Sequence, residues 1–118
     1  MRKTLIILLC AVGFAGVAEA HALLQSAVPP VGGTVSTPPS QVAITFSEAV
    51  EPAFSVIEVK DSAGKRVDSG KPHTAPNSGN ILIVDLQPLT PGSYAVTWRA
   101  TSVDTHKTQG SYKFTVAP

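Results

Sequence analysis

Two short stretches of this chain carry side chains able to hold a metal ion. The first is Ala18-Glu19-Ala20, followed directly by His21. A small-x-small triplet is the pattern after which signal peptidase cuts, so processing would make His21 the first residue. Its free α-amine and its imidazole Nδ1 can then close a chelate ring on one ion. The amine has an ordinary pKa of about 7.7–8.0, so giving up its proton to a metal near neutrality costs little. Cleavage itself does not require histidine, and a chance His at a frayed terminus is the plain alternative. The second stretch is TSVDTHK, Thr101 to Lys107, in which Asp104 and His106 lie two apart. In an extended segment positions i and i+2 face the same side, which points a carboxylate and an imidazole together. Asp-x-His also arises by chance, and Asp104 also suits a turn. Taken with His21, however, the pair completes a set of four donors: an amine nitrogen, two imidazole nitrogens and a carboxylate oxygen. Nitrogen and oxygen donors in a tetragonal array, without thiolate, suit Cu(II), and the affinity order of the divalent ions points the same way. Zn(II) accepts such donors too but prefers a tetrahedron.

The residues ahead of His21 read as a leader. Arg2 and Lys3 form a basic start, and Leu5 to Val12 is an apolar run extended through Phe14. The run is too short for a membrane span, which needs about 20 residues, and it fits a signal peptide over residues 1–20. Leu9 stands before Cys10 where a lipoprotein would carry a small residue. The expected mature domain is residues 21–118, long enough for one small core. The only Cys and the only Met are Cys10 and Met1, so this domain carries no sulfur and no disulfide. Secretion would permit disulfides; the core and any bound ligand must stabilise the domain instead. It carries seven Lys or Arg against seven Asp or Glu. No basic stripe suggests nucleic acid, and no segment suggests membrane insertion after processing.

The elements that must position these donors read as β throughout. Gln41 to Phe46 alternates, with Val42, Ile44 and Phe46 on one face. Phe54 to Val59 follows, then a turn at Asp61 to Gly64 and a short strand near Arg66 and Val67. Ile81 to Leu86 is a near-continuous apolar run. Ser93 to Ala100 places Tyr94, Val96 and Trp98 on one face, and Ser111 to Val116 does the same with Tyr112, Phe114 and Val116. With His21 to Leu24 this makes about seven short strands, punctuated by Pro and Gly pairs. No window reads as a helix of three turns. The pattern predicts an all-β sandwich or small barrel, with Lys71 to Asn80 as a polar loop.

Other polar and aromatic residues have plainer readings. Trp98 alternates onto the core face, so it is packing rather than a stacking platform. His73 falls in the polar loop and reads as an exposed histidine. Glu48 and Glu51 flank a turn and read as solvated charges, with an outer role near a metal open to Glu48. Arg99 faces away from Trp98 and lies five residues before Asp104; it is either surface charge or a neighbour of the metal pair.

The stretches HALLQSAVPPVGG, VAITFSEAVEPAFS and LTPGSYAVTWRATSVDTHKTQGSYKFTV resemble the CopC family of periplasmic copper-binding proteins over essentially all of residues 21–118. The resemblance is strongest at the histidine created by cleavage and at the W-R-A-x-S-x-D-x-H segment. It implies an Ig-like Greek-key β-sandwich or barrel, one Cu(II) ion held by His21, Asp104 and His106, and a carrier or buffer role in copper tolerance or uptake rather than catalysis. It also implies an inner-membrane CopD-type copper transporter as partner. Some members add a Met-rich loop for Cu(I); soft Cu(I) wants sulfur ligands, and this domain has none. Two other classes fit parts of the sequence. An N-terminal His chelate also serves copper-dependent oxidative enzymes, although a coordinating Asp104 would favour the resting oxidised ion. A metal-free Ig-like interaction module fits the β pattern alone.

Overall fold

The computed structural model describes residues 22–118. Residues 1–21, which hold the expected leader and His21, lie outside the described residues. Eight strands follow in order: β1 Leu24–Val28, β2 Thr34–Val35, β3 Gln41–Phe46, β4 Val56–Asp61, β5 Asp68–Ala75, β6 Ser78–Leu86, β7 Gly92–Thr101 and β8 Lys107–Val116. They form two four-stranded sheets, ordered β1-β3-β6-β5 and β2-β8-β7-β4. The chain changes sheet at every connection except the β5–β6 and β7–β8 hairpins. This is the Ig-like Greek-key sandwich expected from the sequence. All pairs are antiparallel except the short β2–β8 pair.

The alternating runs place their apolar sides between the sheets. Val42, Ile44 and Phe46 of β3 face Val96, Phe114 and Val116 of the opposite sheet, and all are essentially buried. Trp98 is 6% exposed and meets the Phe46 ring edge-on at 5.1 Å, so its core reading holds. Tyr94 closes the β6–β7 corner: its hydroxyl donates to the Thr90 carbonyl at 2.6 Å and accepts from the Thr90 N–H at 3.1 Å. That is the tyrosine corner of such sandwiches.

Several sequence expectations change, beginning with the first strand, which runs over Leu24–Val28 rather than His21 to Leu24. Lys71 to Asn80 is not a loop but most of the β5–β6 hairpin, turning at Pro76-Asn77, with Asn77 at φ 61°. As an edge strand β5 buries little, which removes the apolar alternation that marks strands, and its edge position tolerates Pro72. Phe54 does not begin β4. It ends a 3-10 turn over Pro52–Phe54 that Pro52 starts, and Ser55 follows with its hydroxyl on the Glu51 carbonyl at 2.7 Å. Arg66 makes only an isolated bridge to Lys60 rather than a strand.

Gly110 pairs with Trp98 across β7–β8. A Cβ there would come within 2.7 Å of the indole ring. Gly110→Ala should therefore displace a packed Trp and cost about 1–3 kcal/mol, lowering Tm by roughly 5–20 °C. Thermal denaturation followed by circular dichroism checks this. An unchanged Tm would mean that the indole shifts freely.

Candidate metal centre

The β7–β8 hairpin ends in a tight loop, and the loop brings Asp104 and His106 together. The last strand pair is Thr101 with Lys107. Beyond it the Ser102 N–H donates to the His106 carbonyl at 2.9 Å, and the Thr105 N–H donates to the Ser102 carbonyl at 2.8 Å. Val103, Asp104 and Thr105 are thus a three-residue hairpin loop: a β-turn followed by a left-handed residue. The left-handed slot normally takes glycine; here Thr105 fills it at φ 73°. A β-branched residue in that region is strained by about 1–3 kcal/mol, and such outliers cluster at functional sites. The segment is therefore not extended, as the spacing argument assumed. The bend at Thr105 nevertheless sets His106 Nδ1 3.3 Å from Asp104 Oδ2, both side chains about half exposed.

The carboxylate is held before any metal arrives. The Ser102 hydroxyl donates to Asp104 Oδ1, and the His106 N–H approaches the same oxygen at 3.4 Å. The Ser102 bond foremost keeps the Asp104 carboxyl below its usual range; desolvation opposes it, and the His106 N–H and imidazole add to the lowering. An ionised carboxylate is the form a cation needs. At metal–ligand bonds of about 2.0–2.2 Å, adjacent ligands of one ion stand roughly 3 Å apart, so the O···N separation suits a shared metal as well as a shared proton.

Ser102 is fully buried and was not singled out from sequence, although the Ser-x-Asp-x-His pattern contains it. Thr108 was missed too. Its hydroxyl donates to the Ala22 carbonyl at 2.6 Å, and Ala22 is itself 0% exposed. Leu23 is fixed as well, its N–H on Ser47 Oγ at 2.9 Å and its carbonyl on the Ser47 N–H at 2.8 Å. The residue bonded to His21 is therefore anchored on β8, two positions past His106. His21 lies outside the described residues, and among those no group of three or more His, Cys, Asp or Glu side chains converges.

The remaining candidates stand apart from this pair. His73 lies on β5, in the other sheet, with Nε2 3.9 Å from Asp85 Oδ1. Arg99 sits on the outer face of β7, opposite Gln109. Glu48 and Glu51 lie in the β3–β4 connection; the Glu51 N–H donates to the Thr101 carbonyl at 2.8 Å, so this connection packs on the end of β7 just before the loop.

The CopC domain family model matches residues 24–117. The crystal structure of CopC from Methylosinus trichosporium OB3b superposes with a TM-score of 0.77 at 37% identity, covering 83% of this chain and 95% of that one. The structure of PcoC, a methionine-rich copper resistance protein from Escherichia coli, superposes with a TM-score of 0.73 at 31% identity, covering 82% and 99%. The copper transport protein CutJ of Bacillus subtilis (strain 168) is 33% identical over 116 residues, which span 98% of this chain and 21% of that protein.

Proposed function

This chain belongs to the CopC family, and from that premise we propose that it is a periplasmic Cu(II) carrier or buffer serving copper tolerance or uptake. Residues 1–20 are its leader, residues 21–118 the working domain, and one ion is its cargo. The ligands are the α-amine and imidazole of His21, the Asp104 carboxylate and the His106 imidazole. One observation carries the reading: Asp104 and His106 meet on a hairpin whose strand β8 tethers Ala22, the neighbour of His21, through Thr108. Processing at Ala20 would then deliver the chelate to a prepared pair.

Each part of the site has a distinct task in this account. Ser102 orients the carboxylate and keeps it ionised. Thr105 holds the bend that brings the imidazole to it. Thr108 fixes the approach of the N-terminus. Four N and O donors fill the plane that Cu(II) favours, leaving nothing that promotes turnover, so the domain holds and hands over copper rather than using it in catalysis. CutJ is a copper transport protein about five times the length of the matched region. A CopC-like region within a longer copper transport protein supports a copper transporter as partner, which we take to be an inner-membrane protein of the CopD type.

The sulfur content decides the preferred oxidation state. PcoC is described as methionine rich, whereas this chain has no Met or Cys after residue 20. Soft Cu(I) prefers thioether and thiolate. Protein beginning at His21 should bind one equivalent of Cu(II) and lose most of its affinity on reduction. Competition titrations with chelators of known affinity, aerobic and then anaerobic with reductant, check this. Tight Cu(I) retention would contradict the ligand set.

A further inference from the structure

The geometry points to a docking surface beside the copper loop, on the outer face of the β2-β8-β7-β4 sheet, for an acidic segment of the protein that exchanges copper with this one. The inference rests on the copper-carrier reading. A groove of about 320 Å³ runs there, lined among others by Phe54, Val56, Arg99, Lys107 and Gln109. Strand register explains the grouping. Arg99 stands opposite Gln109 and Val56, and Thr101 opposite Lys107, so these side chains share the outward face.

The charge in the groove is one-sided. Two cations line it and no carboxylate does. Among the described residues neither Arg99 nor Lys107 takes part in an ion pair. Arg66, on the same sheet's flank, shows the contrast: it is forked onto Asp68 at 2.7 and 3.0 Å and lies 3.4 Å from Glu58. Two lone cations on a sheet face are ordinarily just solvated. Here they flank an aromatic ring held out to solvent on a fixed backbone. Phe54 is 71% exposed, yet its carbonyl accepts from the Thr101 hydroxyl at 2.9 Å and its N–H donates to Glu51. Aromatic residues, Phe included, and Arg are both enriched at protein interfaces relative to the rest of the surface.

Position ties this surface to copper. Lys107 follows His106 directly, and Thr108, which also lines the groove, holds Ala22. Leu23 and Val103, each more than half exposed, sit with Phe54 at this end of the sandwich, while Val28 and Val31 lie at the other. A partner engaging Phe54 with apolar groups and Arg99 and Lys107 with carboxylates would present those carboxylates within reach of the copper ligands. Complementary charge speeds such encounters and fixes their orientation.

The test titrates metal-free, ¹⁵N-labelled protein beginning at His21 with a capped octapeptide of glutamates around a central leucine. A parallel arm uses vesicles of equal parts phosphatidylglycerol and phosphatidylcholine. Amide shifts should concentrate on Phe54, Arg99, Thr101, Lys107 and Gln109. Arg99→Glu with Lys107→Glu should weaken the peptide at least about tenfold, and Phe54→Ala should weaken it severalfold, all with unchanged circular dichroism. None of these variants should lose more than about twofold in Cu(II) affinity, and the added carboxylates can only favour the cation. Shifts centred on Lys60 and Lys113, or vesicle binding with an inert peptide, would overturn the proposal. A loss of copper affinity in Arg99→Glu would also overturn it, by assigning Arg99 to the metal site. Because the titration is metal-free, its outcome is independent of whether the domain binds copper.

Discussion

Replacing either Asp104 or His106 with alanine should abolish most of the stabilisation that Cu(II) confers while leaving the metal-free fold nearly intact. Both side chains are about half exposed on a hairpin loop, where truncation costs the apo protein at most about 1 kcal/mol. Copper binding to the native state adds RT ln(1 + [L]/Kd), or about 4.1 kcal/mol at free copper a thousand times Kd. Each alanine variant loses one of four donors, and with it at least about a hundredfold in affinity, or about 2.7 kcal/mol. At the same free copper such a variant retains only about 1.4 kcal/mol. For a domain of this size the parent should gain roughly 15–30 °C in Tm and the variants roughly a third of that. His73→Ala, remote on β5, should match the parent. Thermal melts at buffered free Cu(II) separate these cases. A full copper shift in Asp104→Ala or His106→Ala would remove that residue from the site, and collapse of the apo protein would make it structural.

The second large effect concerns the N-terminus. An acetylated alanine placed before His21 keeps the imidazole but abolishes the α-amine on that residue, and so reduces the proposed four-donor site to its three side-chain donors. Copper affinity should fall at least about a hundredfold, again about 2.7 kcal/mol, with no change in apo Tm. Competition titration against the protein beginning at His21 gives the number directly. The chain just after His21 is tethered by Thr108 on Ala22 and by Ser47 on Leu23, so an added residue perturbs the site and not the fold. Equal affinities would show that the amine is not a ligand.

The parts of this molecule that the sequence makes legible are those with one buried face. β3, β7 and β8 alternate strictly because each packs one side into the core, and their inward residues are the buried ones. β5 was illegible for the opposite reason: at the sheet edge its Lys71, Pro72 and Thr74 need bury nothing, so their types record no face. Phe54 misled because an aromatic beside a β-branched run reads as strand, whereas Pro52 starts a turn that turns the ring outward.

The site divides in the same way. The Asp104 and His106 juxtaposition was foreseeable from spacing, yet it arises from a left-handed Thr105 and not from an extended chain. Ser102 stood in the motif, but its role depends on a turn that folds its hydroxyl back onto Asp104. The Thr108 to Ala22 bond joins residues 86 apart, and no local pattern encodes such a contact. It is also the contact that links the hairpin pair to the N-terminus.

The central claim is that one Cu(II) ion is shared by His21, Asp104 and His106, and electron paramagnetic resonance tests it most directly. Protein beginning at His21, given one equivalent of Cu(II), should yield a single tetragonal signal with hyperfine structure from three nitrogens. His106→Ala should reduce the nitrogen count and Asp104→Ala should shift the signal without reducing it. A spectrum that is the same in the parent and both variants, or one resembling copper free of the protein, would contradict the account.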